Sequence, residues 1–186
     1  VYMDELMRSG AKIDGVITAT RGNHGQSVAR AASAVGLKSV ILVPRGNSTE
    51  KNTAMRAFGA ELIEHGADFD EAKDEAYRLA ATRNLHIVPA YHAALVKGVA
   101  TGGRELLTAF PDLDTVYVPI GMGSGVGGMI MARDLLGLKT EVVGVVAANA
   151  PCVALSVAAG KPIATNSAAT FADGMACRVP DPTSFE

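Results

Sequence analysis

Six short apolar runs recur along the chain, each followed by a longer stretch with helical periodicity, and this alternation constrains the fold more than any other feature. The runs are 14–19, 39–44, 61–64, 86–89, 115–120 and 141–147; the helical patterns cover 25–35, 49–58, 69–83, 95–109, 126–136 and 152–159. Runs such as "SVILVP" and "VVGVV" are apolar on both faces, as parallel strands need when helices cover them on each side. The third helical pattern is the clearest. Asp68 is placed to cap it with Glu71 three residues on, and Phe69, Ala72, Ala76, Leu79 and Ala80 form one apolar stripe. Each crossover is long enough for a βαβ unit, so the sequence predicts an α/β fold with mostly parallel sheets. Val1, Leu6 and Met7 open a further amphipathic pattern, and a chain that starts on Val rather than Met reads as a piece of a longer protein.

Composition narrows the function classes. The chain has 186 residues, enough to bury a real core, and none of its apolar runs approaches the roughly 18 residues of a membrane helix. A net charge of -2 with interspersed acids and bases offers no basic stripe for a phosphate backbone, so neither nucleic acid nor membrane is expected as a partner. The two cysteines, Cys152 and Cys177, lack metal-ligand spacing and read as small buried hydrophobes. No metal site is expected, and a reducing, cytoplasmic setting is.

In an open parallel sheet, ligands bind beyond the carboxyl ends of strands, and two strand-to-helix turns there stand out. In "TATRGNHGQS", 18–27, Gly22 and Gly25 free the backbone while Arg21, Asn23, His24 and Gln26 crowd donors at one turn. The first-turn amides and positive helix end would suit a carboxylate or phosphate; an ordinary helix cap is the alternative. In "GMGSGVGG", 121–128, five glycines in eight residues let backbone approach a ligand, and Ser124 adds a hydroxyl. A phosphate cradle and close packing of a turn are the two readings. The Gly123-x-Gly125-x-x-Gly128 spacing matches a dinucleotide fingerprint, but the next strand ends in Val146, Ala147, Ala148 and Asn149, without the ribose-binding acid. A simple phosphate ester fits better than NAD.

Taken together, the turns resemble those of fold-type II pyridoxal-phosphate enzymes, in particular the threonine dehydratase and serine racemase branch. Thr20-Arg-Gly-Asn-His-Gly-Gln26 matches the family's Ser/Thr-x-Gly-Asn-His-Gly/Ala-Gln, and "VPIGMGSG" matches its tetraglycine loop after a Val-Pro-Val strand. "VPRGNSTEKNTAMRAFGAEL", "GADFDEAKDEA" and "TFADG" are similar in the same order. The resemblance implies two three-layer αβα units with mostly parallel open sheets, like the tryptophan synthase beta chain. It makes 15–92 a small domain that closes over substrate, and 1–14 with 93–186 part of a large one.

The same resemblance implies roles for individual residues. Asn23 would bind the 3'-oxygen of pyridoxal 5'-phosphate, and Thr20, Gly22, Asn23 and His24 would surround the substrate carboxylate. Gly121, Met122, Gly123, Ser124 and Gly125 would hold the 5'-phosphate, with Met122 and Ser124 replacing two family glycines. Arg21 stands where relatives have a small residue; it either reads a second acidic group or faces solvent.

No catalytic residue is expected within the chain, because the family's Ser-Phe-Lys-x-Arg-Gly segment, with its Schiff-base lysine, would fall just upstream of Val1. Lys12, Lys38, Lys51, Lys73, Lys97, Lys139 and Lys161 read as surface residues, and His65, His86 and His92 as structural. The implied activity is an ammonia-lyase acting on a small amino acid, giving 2-oxobutanoate or pyruvate plus ammonia, in a homodimer, with this chain inactive alone. The alternatives are a racemase or β-replacement synthase of the same fold, or a catalytically dead ligand-binding relative.

Overall fold

A computed structural model describes residues 1–185. Its elements are α1 (Tyr2–Arg8), β1 (Gly15–Ala19), α2 (Asn23–Ala34), β2 (Lys38–Val43), α3 (Thr49–Ala57), β3 (Glu61–Glu64), α4 (Phe69–Arg83) and β4 (Leu85–Ile87). Then come α5 (Ala93–Ala109), β5 (Thr115–Pro119), α6 (Ser124–Leu135), β6 (Glu141–Val145), α7 (Cys152–Ala159), a 3-10 turn (Asp173–Met175) and α8 (Pro182–Phe185). The chain divides into two compact units, Met3–Ala90 and Val1–Tyr2 with Tyr91–Glu186. Glu186, the last residue of the expected large domain, lies outside the described residues. Residues 3–14 precede β1 within the first of these units. Asp14 is tied to that unit by its amide on the Asn84 carbonyl and by the Asn84 side-chain amide on its carboxylate.

In the Met3–Ala90 unit, four parallel strands lie in the order β3-β2-β1-β4, with Ile17 opposite Val40 on one side and Ile87 on the other. Alternation along the strands sends Ile17, Ala19, Val40 and Leu42 to one face, where they pack on Ala72, Ala76 and Leu79 of α4. Ile41 points to the other face, against the α2–α3 side. Both faces are therefore covered, which explains why β1 and β2 are apolar throughout. Ile17, Ile41 and Leu42 are fully buried, each worth about 1.5–3 kcal/mol in transfer free energy. Strand order reverses between β1 and β4, so the crevice at their carboxyl ends is the topological switch point, where ligands of such sheets bind.

The predicted α4 has the bounds the sequence indicated. The Asp68 carboxylate accepts from the Glu71 amide at 3.0 Å, and Glu71 reaches back to the Ala67 amide at 2.8 Å. Together they satisfy two amides that would otherwise be orphaned at the helix start.

In the second unit, β5 and β6 form a two-stranded parallel sheet, and α5 packs on α6. Small residues set that approach: a Cβ on Gly103 would lie 3.1 Å from the Ala132 Cβ, and one on Gly128 would lie 2.9 Å from the Ala100 nitrogen. Among the described residues, no helix is long and apolar enough to cross a membrane.

Candidate functional site

The turn after β1 is organised from inside by Thr20. Its amide donates to Leu42 O, continuing the β1–β2 ladder, and its buried hydroxyl oxygen accepts from the amides of Gly22 (2.9 Å) and Gly25 (3.3 Å). Two acceptor positions on one oxygen start α2 without any side-chain cap at Gly22. The Thr20 hydroxyl keeps its own proton, for which no acceptor exists among the described residues. The first turn of α2 carries no acid, and the Asn23 side chain is exposed with no partner among the described residues. These amides and the positive helix end form an anion-accepting turn.

His24 behaves differently from its neighbours. Its Nε2 lies 3.0 Å from Thr18 Oγ1, and the Thr18 hydroxyl donates to Val88 O at 2.8 Å. Because that single hydroxyl proton goes to Val88, Nε2 carries the imidazole hydrogen and donates to Thr18, leaving Nδ1 as a bare acceptor. Burial pushes the His24 pKa down to about 4, partly opposed by the Val88 carbonyl. The ring is therefore neutral at pH 7 and turned toward β1 and β4, so only its main-chain N–H can serve an anion.

A base whose pKa is lower in the folded state than the ordinary 6.5 keeps its full stabilisation above pH 6.5. That stabilisation fades as pH falls toward 4, because the unfolded chain then binds the extra proton. Between pH 7 and pH 5 the unfolding free energy should drop by about 2 kcal/mol through His24 alone. Urea midpoints at the two pH values, compared between the protein and His24→Gln, check this; an equal drop in both would remove His24 as the cause.

Two side chains that the sequence did not single out for this turn, Lys51 and Thr18, join it beside the expected Arg21. Lys51, expected at the surface, is half-buried and lies over Gly22: a Cβ there would meet Lys51 Cδ at 2.8 Å and Nζ at 3.3 Å. Arg21 is half-buried, its Nε fully enclosed with no hydrogen-bond partner among the described residues. Thr18 reads as a plain strand residue, yet it links β1 to α2 and to Val88. His92 caps α5 through Nδ1 on the Ala94 amide and stacks edge-on with Tyr2 at 5.0 Å, in keeping with a structural histidine. Burial lowers the His86 pKa within β4.

The second turn, after β5, is the glycine loop. Gly123 holds φ +99° as the residue preceding α6, a conformation that disfavours any side chain there. The first turn of α6 again has no acid and no side-chain cap, and the Ser124 hydroxyl has no protein partner among the described residues. Gly121 is packed directly on the Gly174 carbonyl, with no room for a Cβ. Met122 Sδ rests 3.5 Å from Cys177 Sγ, and Gly123 is flanked by Ser184 and Tyr91. A cradle of bare amides and a free hydroxyl, held from behind by 174–184, fits a phosphate group. Gly128, by contrast, serves the contact with α5, so the dinucleotide-like spacing is partly a packing pattern.

Both turns thus carry the chemistry of an anionic, phosphorylated ligand, and a family model described as pyridoxal-phosphate dependent enzyme matches residues 2–186. The chain belongs to the pyridoxal-phosphate dependent enzyme family. Within this fold-type II family it is 37% identical over 168 residues to L-threonine dehydratase biosynthetic IlvA of Pasteurella multocida, covering 90% of this chain and 33% of that protein. It is 34% identical over 173 residues to the L-threonine ammonia-lyase of Thermotoga maritima, covering 92% of this chain and 43% of the relative. The chain therefore spans less than half the length of these curated relatives.

Among solved structures, the processed form of threonine deaminase isoform 2 from Solanum lycopersicum superposes with a TM-score of 0.84 at 30% identity, over 96% of this chain and 54% of that one. A pyridoxal 5'-phosphate-dependent aspartate racemase superposes with a TM-score of 0.86 at 25% identity, over 98% and 56%. The α/β architecture with parallel sheets is thus that of fold-type II enzymes.

Proposed function

We propose that the protein to which this chain belongs is a pyridoxal-phosphate dependent ammonia-lyase of the threonine/serine dehydratase type, converting a β-hydroxy amino acid into a 2-oxo acid and ammonia. The observation that carries the reading is the pair of acid-free helix starts, α2 and α6, each with uncommitted amides beyond the carboxyl end of a parallel strand. The IlvA and ammonia-lyase relatives support the lyase choice.

In this reading the amides of Gly121–Gly125 and the Ser124 hydroxyl hold the cofactor phosphate. The Asn23 side chain meets the ring's 3'-oxygen. The main-chain N–H groups of Asn23 and His24, with the remaining Thr20 proton, orient the substrate carboxylate. When bound, the cofactor supplies an electron sink that makes the substrate Cα proton removable. The net reaction then breaks the Cα–H and Cβ–O bonds; hydroxide leaves as water, and hydrolysis of the resulting enamine gives the 2-oxo acid and ammonia. Residues 15–92 serve as the substrate-closing domain, with 1–14 and 93–186 as part of the phosphate-binding one, in a homodimer.

Racemases match the fold as closely as deaminases do, with TM-scores of 0.83 and 0.86 for maize serine racemase and the aspartate racemase, so the fold alone does not separate the two activities. Product analysis does. The full-length protein, loaded with pyridoxal phosphate and given L-serine or L-threonine, should release 2-oxo acid and ammonia in equal amounts. Accumulation of the D-amino acid without ammonia would establish the racemase reading instead.

A further inference from the structure

The Arg21 guanidinium is costly where it stands. Its Nε is enclosed without a partner, and no carboxylate pairs with it among the described residues. An enclosed N–H donor left unpaired is unfavourable, while the rest of this half-buried side chain keeps access to an acceptor that arrives. Nor does the main chain around it need the charge: Thr20 already organises the turn, and α2 already presents its positive end there. A second cationic side chain, Lys51, lies across Gly22, the residue after Arg21. One carboxylate is matched by the α2 amides alone, as at any helix start. Arg21 stands two residues before the first residue of α2, and its planar guanidinium is suited to two oxygens of a further carboxylate.

We propose that Arg21 is a specificity-determining residue that binds a second, distal carboxylate of the substrate, so that the preferred β-hydroxy amino acid is dicarboxylic, of the 3-hydroxyaspartate type. The proposal rests on the lyase reading for its reaction but not for its binding geometry. Loss of the Cα proton and the β-hydroxyl from such a substrate, followed by hydrolysis, yields a 2-oxo dicarboxylate and ammonia, with atoms balanced as for serine. Arg21 supplies the bidentate contact.

Two readouts on the full-length holoenzyme test this. In the first, kcat/KM for 3-hydroxyaspartate is divided by kcat/KM for L-serine. The ratio should exceed one in the unmodified enzyme, fall about 10- to 100-fold in Arg21→Ala, and fall less in Arg21→Lys, which keeps the charge without the fork. The second is calorimetric titration with succinate and with butyrate, unreactive probes of similar size bearing two carboxylates and one. Succinate should bind at least about tenfold tighter, with the preference lost in Arg21→Ala.

A ratio that Arg21→Ala leaves unchanged, or equal binding of the two probes by the unmodified protein, overturns the assignment. Should no amino acid yield a 2-oxo acid, the lyase reading fails by itself, while the succinate preference and its dependence on Arg21 still decide this proposal. Circular dichroism melting of both variants guards against a folding defect, which a half-exposed position is not expected to produce.

Discussion

Gly25→Ala is expected to lower stability by about 2 kcal/mol, although alanine is the better helix former by about 1 kcal/mol. The site lies in the first turn of α2, and a Cβ there collides with Thr20 Cγ2, comes within 2.6 Å of Met55 Sδ and lies 3.0 Å from Ile41 Cγ2. Those neighbours come from the β1–α2 turn, α3 and β2, and Met55 and Ile41 are fully buried. Thr20 cannot rotate away without surrendering the hydroxyl contacts to the Gly22 and Gly25 amides. Relief therefore requires α2 to lift off β1 and β2, and overpacking of this kind costs about 1–3 kcal/mol or more. Gly102→Ala, on the exposed face of α5 with open space around it, isolates the propensity effect and should gain up to about 1 kcal/mol. Urea midpoints for the two variants should thus move in opposite directions. If both rise, the contact of α2 with the sheet is looser than described.

The same position shows what could be read from residue order and what could not. The sequence placed the start of α2 at Gly25, because a glycine cluster reads as a break in helical propensity; the helix begins at Asn23 because the Thr20 hydroxyl takes the Gly22 and Gly25 amides. In the same way α6 begins at Ser124 rather than Val126, immediately after the left-handed Gly123. Strand ends were over-read for the opposite reason. The apolar run 86–89 suggested a strand to Pro89, but β4 ends at Ile87: Val88 makes its last ladder bond to Ile17 O, and Pro89 has no N–H to continue. Where a single local interaction decides, as at Asp68 and Glu71, the sequence located both ends of α4.

The candidate site was legible to the extent that it is local. Thr20 to Gln26 and Gly121 to Gly125 are contiguous strand-to-helix turns, and their composition betrays them. Lys51 is 29 residues from Gly22 along the chain and looks like any charge in the first turn of α3; only the parallel β1–β2 pairing brings the following turns together. His24 was recognised by its motif, but its neutral state and inward ring depend on Thr18 and on Val88, which is 70 residues from Thr18. Burial and tautomer belong to the tertiary structure and leave no local trace.

The glycine loop proposed to hold the phosphate offers the strongest effect on ligand binding. Gly121→Ala places a methyl group against the Gly174 carbonyl, a main-chain atom that cannot swing aside as the tip of a side chain would. Either the 173–175 turn moves or the loop turns its amides away, and each outcome degrades the cradle at the start of α6. Losing one hydrogen bond to a charged phosphate costs about 1.5–3 kcal/mol, so pyridoxal phosphate should be held about 10- to 100-fold more weakly by the full-length protein. Equilibrium dialysis against graded free cofactor measures this directly. Gly125→Ala is the informative comparison, because its Cβ would sit in ordinary contact, 3.9 Å from Val118 Cγ1. That variant should keep the fold and lose cofactor only if the ligand itself occupies the space above Gly125. Weak binding in Gly121→Ala with unchanged binding in Gly125→Ala places the phosphate on the Gly121 side of the loop; weak binding in both puts it over the α6 axis. Full retention by Gly121→Ala would mean that the contact with Gly174 is not what holds the cradle in shape.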